Sequence, residues 1–320
     1  MSLSTPTALL ATLLLACSAA AACAQTPATA SASVASAAPA EEVRREDLVA
    51  DYFAADPAIA SRGAVIVLGG SEGGLGGSRN LARRLAADGF NAIAVSYFGE
   101  AGQSPRLNEI PIEPVGAALV WLQTRLEATG PVAIVGVSKG AELALVAASR
   151  DPRIKAVAVG VPSHLVWQGI DQTGGATGSS WTVGGQPLPH TPYDFSRGFI
   201  SIFALYAGAM DAAPAEAEIP VERIAGPVLM ISGQADTLWP SADMAARIER
   251  RLQAHDFAFP VVNLAYPEAG HAVFGPPIRD PNAPALQTVL SVGGTIPALV
   301  SARADGWPRV LAFLREALSH

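Results

Sequence analysis

The sequence predicts an α/β fold, a doubly wound and mostly parallel sheet, and three observations carry that expectation. Short, nearly continuous apolar runs recur along the chain, helical patterns separate them, and the runs end in turn-forming residues. The runs are AVIVLGG (64–70), NAIAVSYF (91–98), VAIVGVS (132–138), AVAVGV (156–161), VLMISG (228–233) and VVNLAY (261–266). Their Val, Ile, Leu and Ala content suits strands covered on both faces. Between them lie SRNLARRLAADG, EPVGAALVWLQTRLEATG, GAELALVAASRD and SADMAARIERRLQAHD, with apolar residues at helical spacing and Pro or Ser near several starts. Strand–helix alternation of this kind implies right-handed crossovers and an open sheet.

Composition narrows the function. The 320 residues are 50% hydrophobic and 15% charged, the balance of a folded globular chain. With 21 Lys and Arg against 28 Asp and Glu, the net charge of −7 argues against nucleic acid as a partner, since phosphate binding needs clustered cations. Residues 1–24 read as an export signal, an apolar run closed by Ala22-Cys23-Ala24, and so predict a periplasmic or secreted protein. The run is too short and too diluted by Ala, Ser and Thr for a transmembrane span. Leu14-Leu15-Ala16-Cys17 also resembles a bacterial lipobox, which makes a lipid anchor at Cys17 the alternative. Both cysteines, Cys17 and Cys23, fall in this leader, so a chain cleaved after Ala24 has no disulfide and no thiolate.

Residues 25–40 are a low-complexity Ala, Ser, Thr and Pro tether. From 41 to 320 the composition is that of one domain. Its rhythm breaks at about 163–220, where Gly, Pro, Ser and aromatics crowd together before the candidate helix SRGFISIFALYAGAM. A long irregular insertion is more often functional than filler, and this one reads as a cap over the active-site edge of the sheet.

Two stretches fit the G-x-S-x-G pattern of a nucleophilic serine: Gly69-Gly70-Ser71-Glu72-Gly73 and Gly136-Val137-Ser138-Lys139-Gly140. Ser138 stands between a strand and an immediate helix former, the strand–turn–helix that exposes a nucleophilic Oγ. Ser71 is followed by EGGLGG, which cannot begin a stable helix at once. A glycine turn there instead lets backbone N–H groups approach a substrate. Ser138 is therefore the expected nucleophile, and Ser71, Glu72 and Lys139 supply the expected oxyanion donors.

Serine needs a base, and the base a carboxylate. Of five histidines, His271 follows the last predicted strand, with His164 its rival after an earlier one. His190, His255 and His320 read as solvated or capping groups. Asp236 ends VLMISGQAD; Asp243, on the next helix, reads as early-helix charge. The order Ser138, Asp236, His271 is that of α/β-hydrolases. No His-x-x-x-His, carboxylate cluster, Gly-Lys-Ser/Thr loop or dinucleotide glycine spacing is present, so neither metal nor cofactor is expected.

The collinear stretches LGGSEGG, GFNAIAVSYFG, EIPIEPVGAALVWL, VGVSKGAELAL, SSWTVGGQPLP, IPVERIAGPVLMISGQADTLWPS and YPEAGH resemble the C-terminal catalytic domain shared by acyl-CoA thioesterases and bile acid-CoA:amino acid N-acyltransferase, a dienelactone-hydrolase-like α/β-hydrolase. The resemblance implies a small-molecule acyl ester or thioester as substrate and places Ser138, Asp236 and His271 at the family's nucleophile, acid and base. Too few residues precede Val65 for the N-terminal β-domain of longer members. Serine, where the transferase members carry cysteine, favours hydrolysis over transfer to an amine acceptor. An exported protein would meet little acyl-CoA, so either residues 1–24 are not an export signal or the fold serves another ester, thioester or amide, and the second is the reading taken. Trp167, Trp181 and Tyr193 are candidates for an acyl pocket, and Trp239 for that pocket or for a buttress of the acid loop. The Lys139 side chain is expected at an exposed turn, where it could meet an anionic leaving group. A noncatalytic binding protein retaining the fold is the rival from another class.

Overall fold

In the computed structural model, residues 40–319 are described, apart from 60, 128–129, 171–177 and 197. The export signal, the lipobox, His320 and all of the tether but Ala40 lie outside the described residues.

Eight strands form one sheet: β1 (Glu41–Arg45), β2 (Leu48–Phe53), β3 (Ala64–Leu68), β4 (Asn91–Ser96), β6 (Val132–Val137), β7 (Ile154–Gly160), β10 (Val228–Gly233) and β11 (Val261–Tyr266). Their order is β1-β2-β4-β3-β6-β7-β10-β11, and the six strands from β4 to β11 run parallel. These six are the runs expected from sequence. The β1–β2 hairpin is antiparallel and pairs through β2 with β4. Its residues EEVRREDLVADYF carry too much charge to read as a buried run. Three very short strands, β5 (Ile110–Pro111), β8 (Trp181–Val183) and β9 (Gln186–Pro187), make a separate small sheet.

Alternation along the central strands sorts the core into two layers. Val65 and Val67 of β3 and Ala133 and Val135 of β6 join the cluster with α1 (Gly76–Ala87) and α7 (Ile296–Ala317). Ile66, Leu68 and Ile134 join the other, with α2 (Glu113–Arg125), α3 (Lys139–Ala148) and α5 (Ser241–Ala254). Two further helices, α4 (Ile202–Met210) and α6 (Pro284–Val289), lie in the irregular connections. Every residue of α3 is buried.

Chain order places the functional edge. From β3 the chain moves to β4 on one side, then returns through α2 to β6 on the other side of β3. The turns after β3 and β6 therefore diverge at a reversal of strand order, where open sheets leave a crevice. Ser71 and Ser138 belong to those two turns.

The long helix α7 carries Gly306 and Pro308 in its interior, residues that disfavour a helix, which hid it from a pattern reading. Tertiary contact explains the glycine. A Cβ there would lie 3.2 Å from Ile231 Cδ1 and 3.3 Å from Tyr266 Oη. Gly306→Leu is expected to overpack this helix–sheet contact and cost about 2 kcal/mol, read as a lower urea midpoint.

Candidate active site

The β6–α3 turn is built by close backbone approach. Ser138 adopts φ 57° and ψ −121°, a strained conformation for a residue with a side chain. A Cβ on Gly136 would lie 2.2 Å from Gly140 O, and one on Gly140 would lie 2.0 Å from Gly69 O. Only glycine fits at either place. The same contact brings the turn after β3 against Ser138. Tyr97, at the end of β4, pins that second turn by donating to the carbonyls of Gly69 (2.8 Å) and Gly70 (2.6 Å).

Asp236 and His271 arrive from the turns after β10 and β11. Asp236 Oδ1 accepts from the amides of Leu238 (2.9 Å) and Trp239 (3.3 Å), and Oδ2 from Ser241 Oγ (2.6 Å). His271 Nδ1 lies 2.8 Å from Asp236 Oδ2, and its Nε2 lies 3.0 Å from Ser138 Oγ. All three side chains are buried. A Gly293-Gly294 pair sutures the two turns through bridges from Gly293 to Asp236 and from Gly294 to Ala269. This support went unnoticed in the sequence, where the adjacent glycines of SVGGT were its only sign.

Ser71, Glu72, Ser138 and His271 line a cavity of about 320 Å³. Glu72 turns its carboxylate back onto the glycine turn, accepting from the Gly70 amide at 3.0 Å. Burial raises its pKa, partly opposed by hydrogen bonds from its own amide and that of Gly70 and by the nearby His271.

The aromatic candidates do not line this cavity. Trp167, Trp181 and Trp239 are buried in the core and Tyr193 packs against it. The polar atoms of three of them are met in the core: Trp181 Nε1 donates to Glu142 Oε1 (2.7 Å), Trp167 Nε1 to Ser163 Oγ (2.8 Å) and Tyr193 Oη to Gln168 O (3.0 Å). Trp167 meets Tyr206 edge-on, Tyr206 meets Trp239, and Trp239 meets His271 with centroids 5.8 Å apart. Among the described residues, none of the 163–220 insertion lines this cavity, and its aromatics pack instead towards Trp239 and, through it, His271. Phe274, Pro276, Val289 and Val292 supply the apolar wall instead, together with Leu81.

Lys139 is also not where the sequence suggested. Its side chain is buried, with Nζ 2.6 Å from Glu142 Oε2 and 2.8 Å from Ser180 Oγ, above the Trp181 ring. Burial lowers the lysine pKa and raises the Glu142 pKa, while each partner counters the other's shift. Lys139→Met leaves a buried carboxylate without its counter-charge, an expected loss of about 3 kcal/mol in urea unfolding.

His164 lies apart from Ser138, buried in a smaller cavity lined also by Arg247, Arg250 and Arg251. Burial first, then Arg247 and Arg250, pull its pKa down to about 3. His190 is half-buried, with its Nδ1 3.4 Å from Leu188 O, and His255 is exposed at the end of α5. Asp243 occupies the first turn of α5. A histidine depressed in the folded chain removes stability as pH falls below its unfolded value. Between pH 7 and 4, His164 is expected to account for about 3 kcal/mol of acid destabilisation. His164→Gln, compared with the parent by urea unfolding at both pH values, should lose correspondingly less.

Residues 110–320 match the family model described as BAAT / Acyl-CoA thioester hydrolase C terminal. Human acyl-coenzyme A thioesterase 6 is 27% identical over 266 residues, covering 80% of this chain and 60% of that protein. The human mitochondrial acyl-coenzyme A thioesterase 2 is 28% identical over 264 residues, covering 79% and 52%. The chain therefore spans little more than half the length of these relatives. A dienelactone hydrolase-like promiscuous phosphotriesterase from metagenomic libraries superposes with a TM-score of 0.54 at 18% identity, over 88% of this chain and 99% of that one. That is a likeness of fold.

Proposed function

The chain belongs to the BAAT / acyl-CoA thioester hydrolase C-terminal family, and from that premise we propose that it is a serine hydrolase of acyl esters or thioesters acting through an acyl-enzyme. The observation that carries the reading is the unbroken relay from Ser138 Oγ through His271 to Asp236, with hydrogen bonds of 3.0 and 2.8 Å. Asp236, held by two amides and Ser241, fixes the ring with its proton on Nδ1. Nε2 is then free to accept the Ser138 proton as Oγ attacks the acyl carbon.

The carbonyl oxygen becomes an oxyanion beside the opening of α3, where the Lys139 amide and the Ser71 amide are the proposed donors. Such a donor contributes about 3 kcal/mol to the transition state. The imidazolium next gives its proton to the departing alcohol or thiol. Water enters, loses a proton to His271 and attacks the acyl-serine, releasing the acid and restoring Ser138. Burial of all three side chains lowers the local dielectric, which strengthens the hydrogen bonds and charge pairing that hold the imidazolium.

Ser138→Ala is expected to abolish turnover and labelling by a fluorophosphonate with little change in urea midpoint. An unchanged rate would sink the proposal, and unlabelled parent protein would favour a noncatalytic binder. Matched acyl-CoA thioesters and simple oxoesters then assign the leaving group by kcat/KM. Product carrying an added amine acceptor in place of water would mark a transferase.

A further inference from the structure

Among the described residues, a cation with no acidic partner stands in the wall of the Ser138 cavity. Arg303, on α7, is partly buried and lines the same cavity as Ser138, His271 and Ser71. Its Nε and Nη2 both donate to one neutral acceptor, Ala272 O, at 2.9 and 2.6 Å. Burial alone moves its pKa, down to about 10, with no carboxylate opposing the shift. Arg44, Arg79, Arg84 and Arg251, by contrast, each face an Asp or Glu. A guanidinium offers five N–H donors in a planar fork suited to a carboxylate or phosphate. Withdrawing it from water without an anion is costly.

The neighbouring wall carries no side chain over Nη1, the one guanidinium nitrogen that Ala272 O does not engage. Gly275, also a cavity residue, has φ 139°, and a Cβ there would sit 3.5 Å from both Cζ and Nη1 of Arg303. The cavity's own carboxylate, Glu72, is engaged by the glycine turn and forms no ion pair with Arg303 among the described residues.

We propose that Arg303 is the anion receptor of this site, so that the favoured substrate is an ester or thioester bearing an anionic group within reach of the cavity. The inference rests on the hydrolase reading and specifies its substrate class. The anion can come from the acyl chain or from the leaving group, and the two sources are separable. For the acyl side, kcat/KM is compared between p-nitrophenyl hemisuccinate and p-nitrophenyl butyrate. For the leaving group, butyryl-CoA is compared with the butyryl thioester of N-acetylcysteamine.

Each anionic-to-neutral ratio is measured for the parent, for Arg303→Gln, which keeps a donor for Ala272 O, and for Arg303→Lys, which keeps the charge. The ratio is independent of how much protein is active, so a folding defect does not imitate the effect. One ratio is expected to fall at least tenfold in the Gln variant and to recover in part in the Lys variant, and that pair names the source of the anion. Changes below twofold in both ratios would overturn the proposal. Should no substrate be turned over, the hydrolase reading fails by itself. Anion binding is then read from the melting temperature of Ser138→Ala protein with glutarate or CoA. A rise that Arg303→Gln abolishes supports the receptor; no rise rejects it.

Discussion

The site depends on one contact between two backbones, the passage of Gly140 beneath the Gly69 carbonyl. A methyl group at Gly140 would stand 2.0 Å from that oxygen, so the turn after β6 and the turn after β3 hold their spacing by excluding a single carbon atom. The strain at Ser138 follows, because the chain must reverse there into α3 while leaving Oγ towards the cavity. Tyr97 contributes from β4 by holding the other side of the contact. Two neighbouring strand ends and a third behind them thus act on one serine, and the sheet order that separates them at a reversal is what leaves room for a ligand.

Behind this turn the chain spends buried polar chemistry on rigidity. Glu142 accepts the Trp167 amide, the Trp181 indole and the Lys139 ammonium. It therefore ties the first turn of α3 to the insertion at two points. The aromatic side chains continue the link to Trp239 and so to the back of His271. The hydrogen bonds that converge on Glu142 specify one arrangement rather than many. It also accounts for a segment rich in Gly and Pro that is nonetheless packed where it is described.

Much of this was legible in the sequence, and the limits have physical causes. Strands covered on both faces announce themselves as unbroken apolar runs, and all six appear in the sheet. Ser138, Asp236 and His271 could be named because each lies in the turn that follows such a run, and the structure brings them within hydrogen-bonding distance. The β1–β2 hairpin was hidden because an edge strand tolerates charge on its open side, as the pattern of EEVRR shows. The helix α7 was hidden by Gly306 and Pro308. The large aromatics misled as to the cavity, since a tryptophan suits a ligand wall and a core equally until its indole N–H finds an acceptor. Lys139 misled likewise, because its partners Glu142 and Ser180 stand 3 and 41 residues away. Arg303 gave no local sign at all. Its place beside Ser138 comes from the packing of α7 against the turn that carries His271.

The Gly293-Gly294 suture has a temporal meaning as well as a spatial one. A Cβ on Gly270 would lie 1.9 Å from Gly293 O, and one on Gly293 would lie 2.0 Å from Ala235 O, so the acid and histidine turns close around a segment synthesised after both. During synthesis the serine turn and its supporting strands leave the ribosome long before this clasp exists. The Ser138 turn precedes the clasp in the sequence by some 155 residues, and the His271 turn has its full set of contacts only once Gly293 and Gly294 follow it. Chain order thus divides the site in two: the serine turn is supported by earlier segments, while the acid and histidine turns are clasped by a later one.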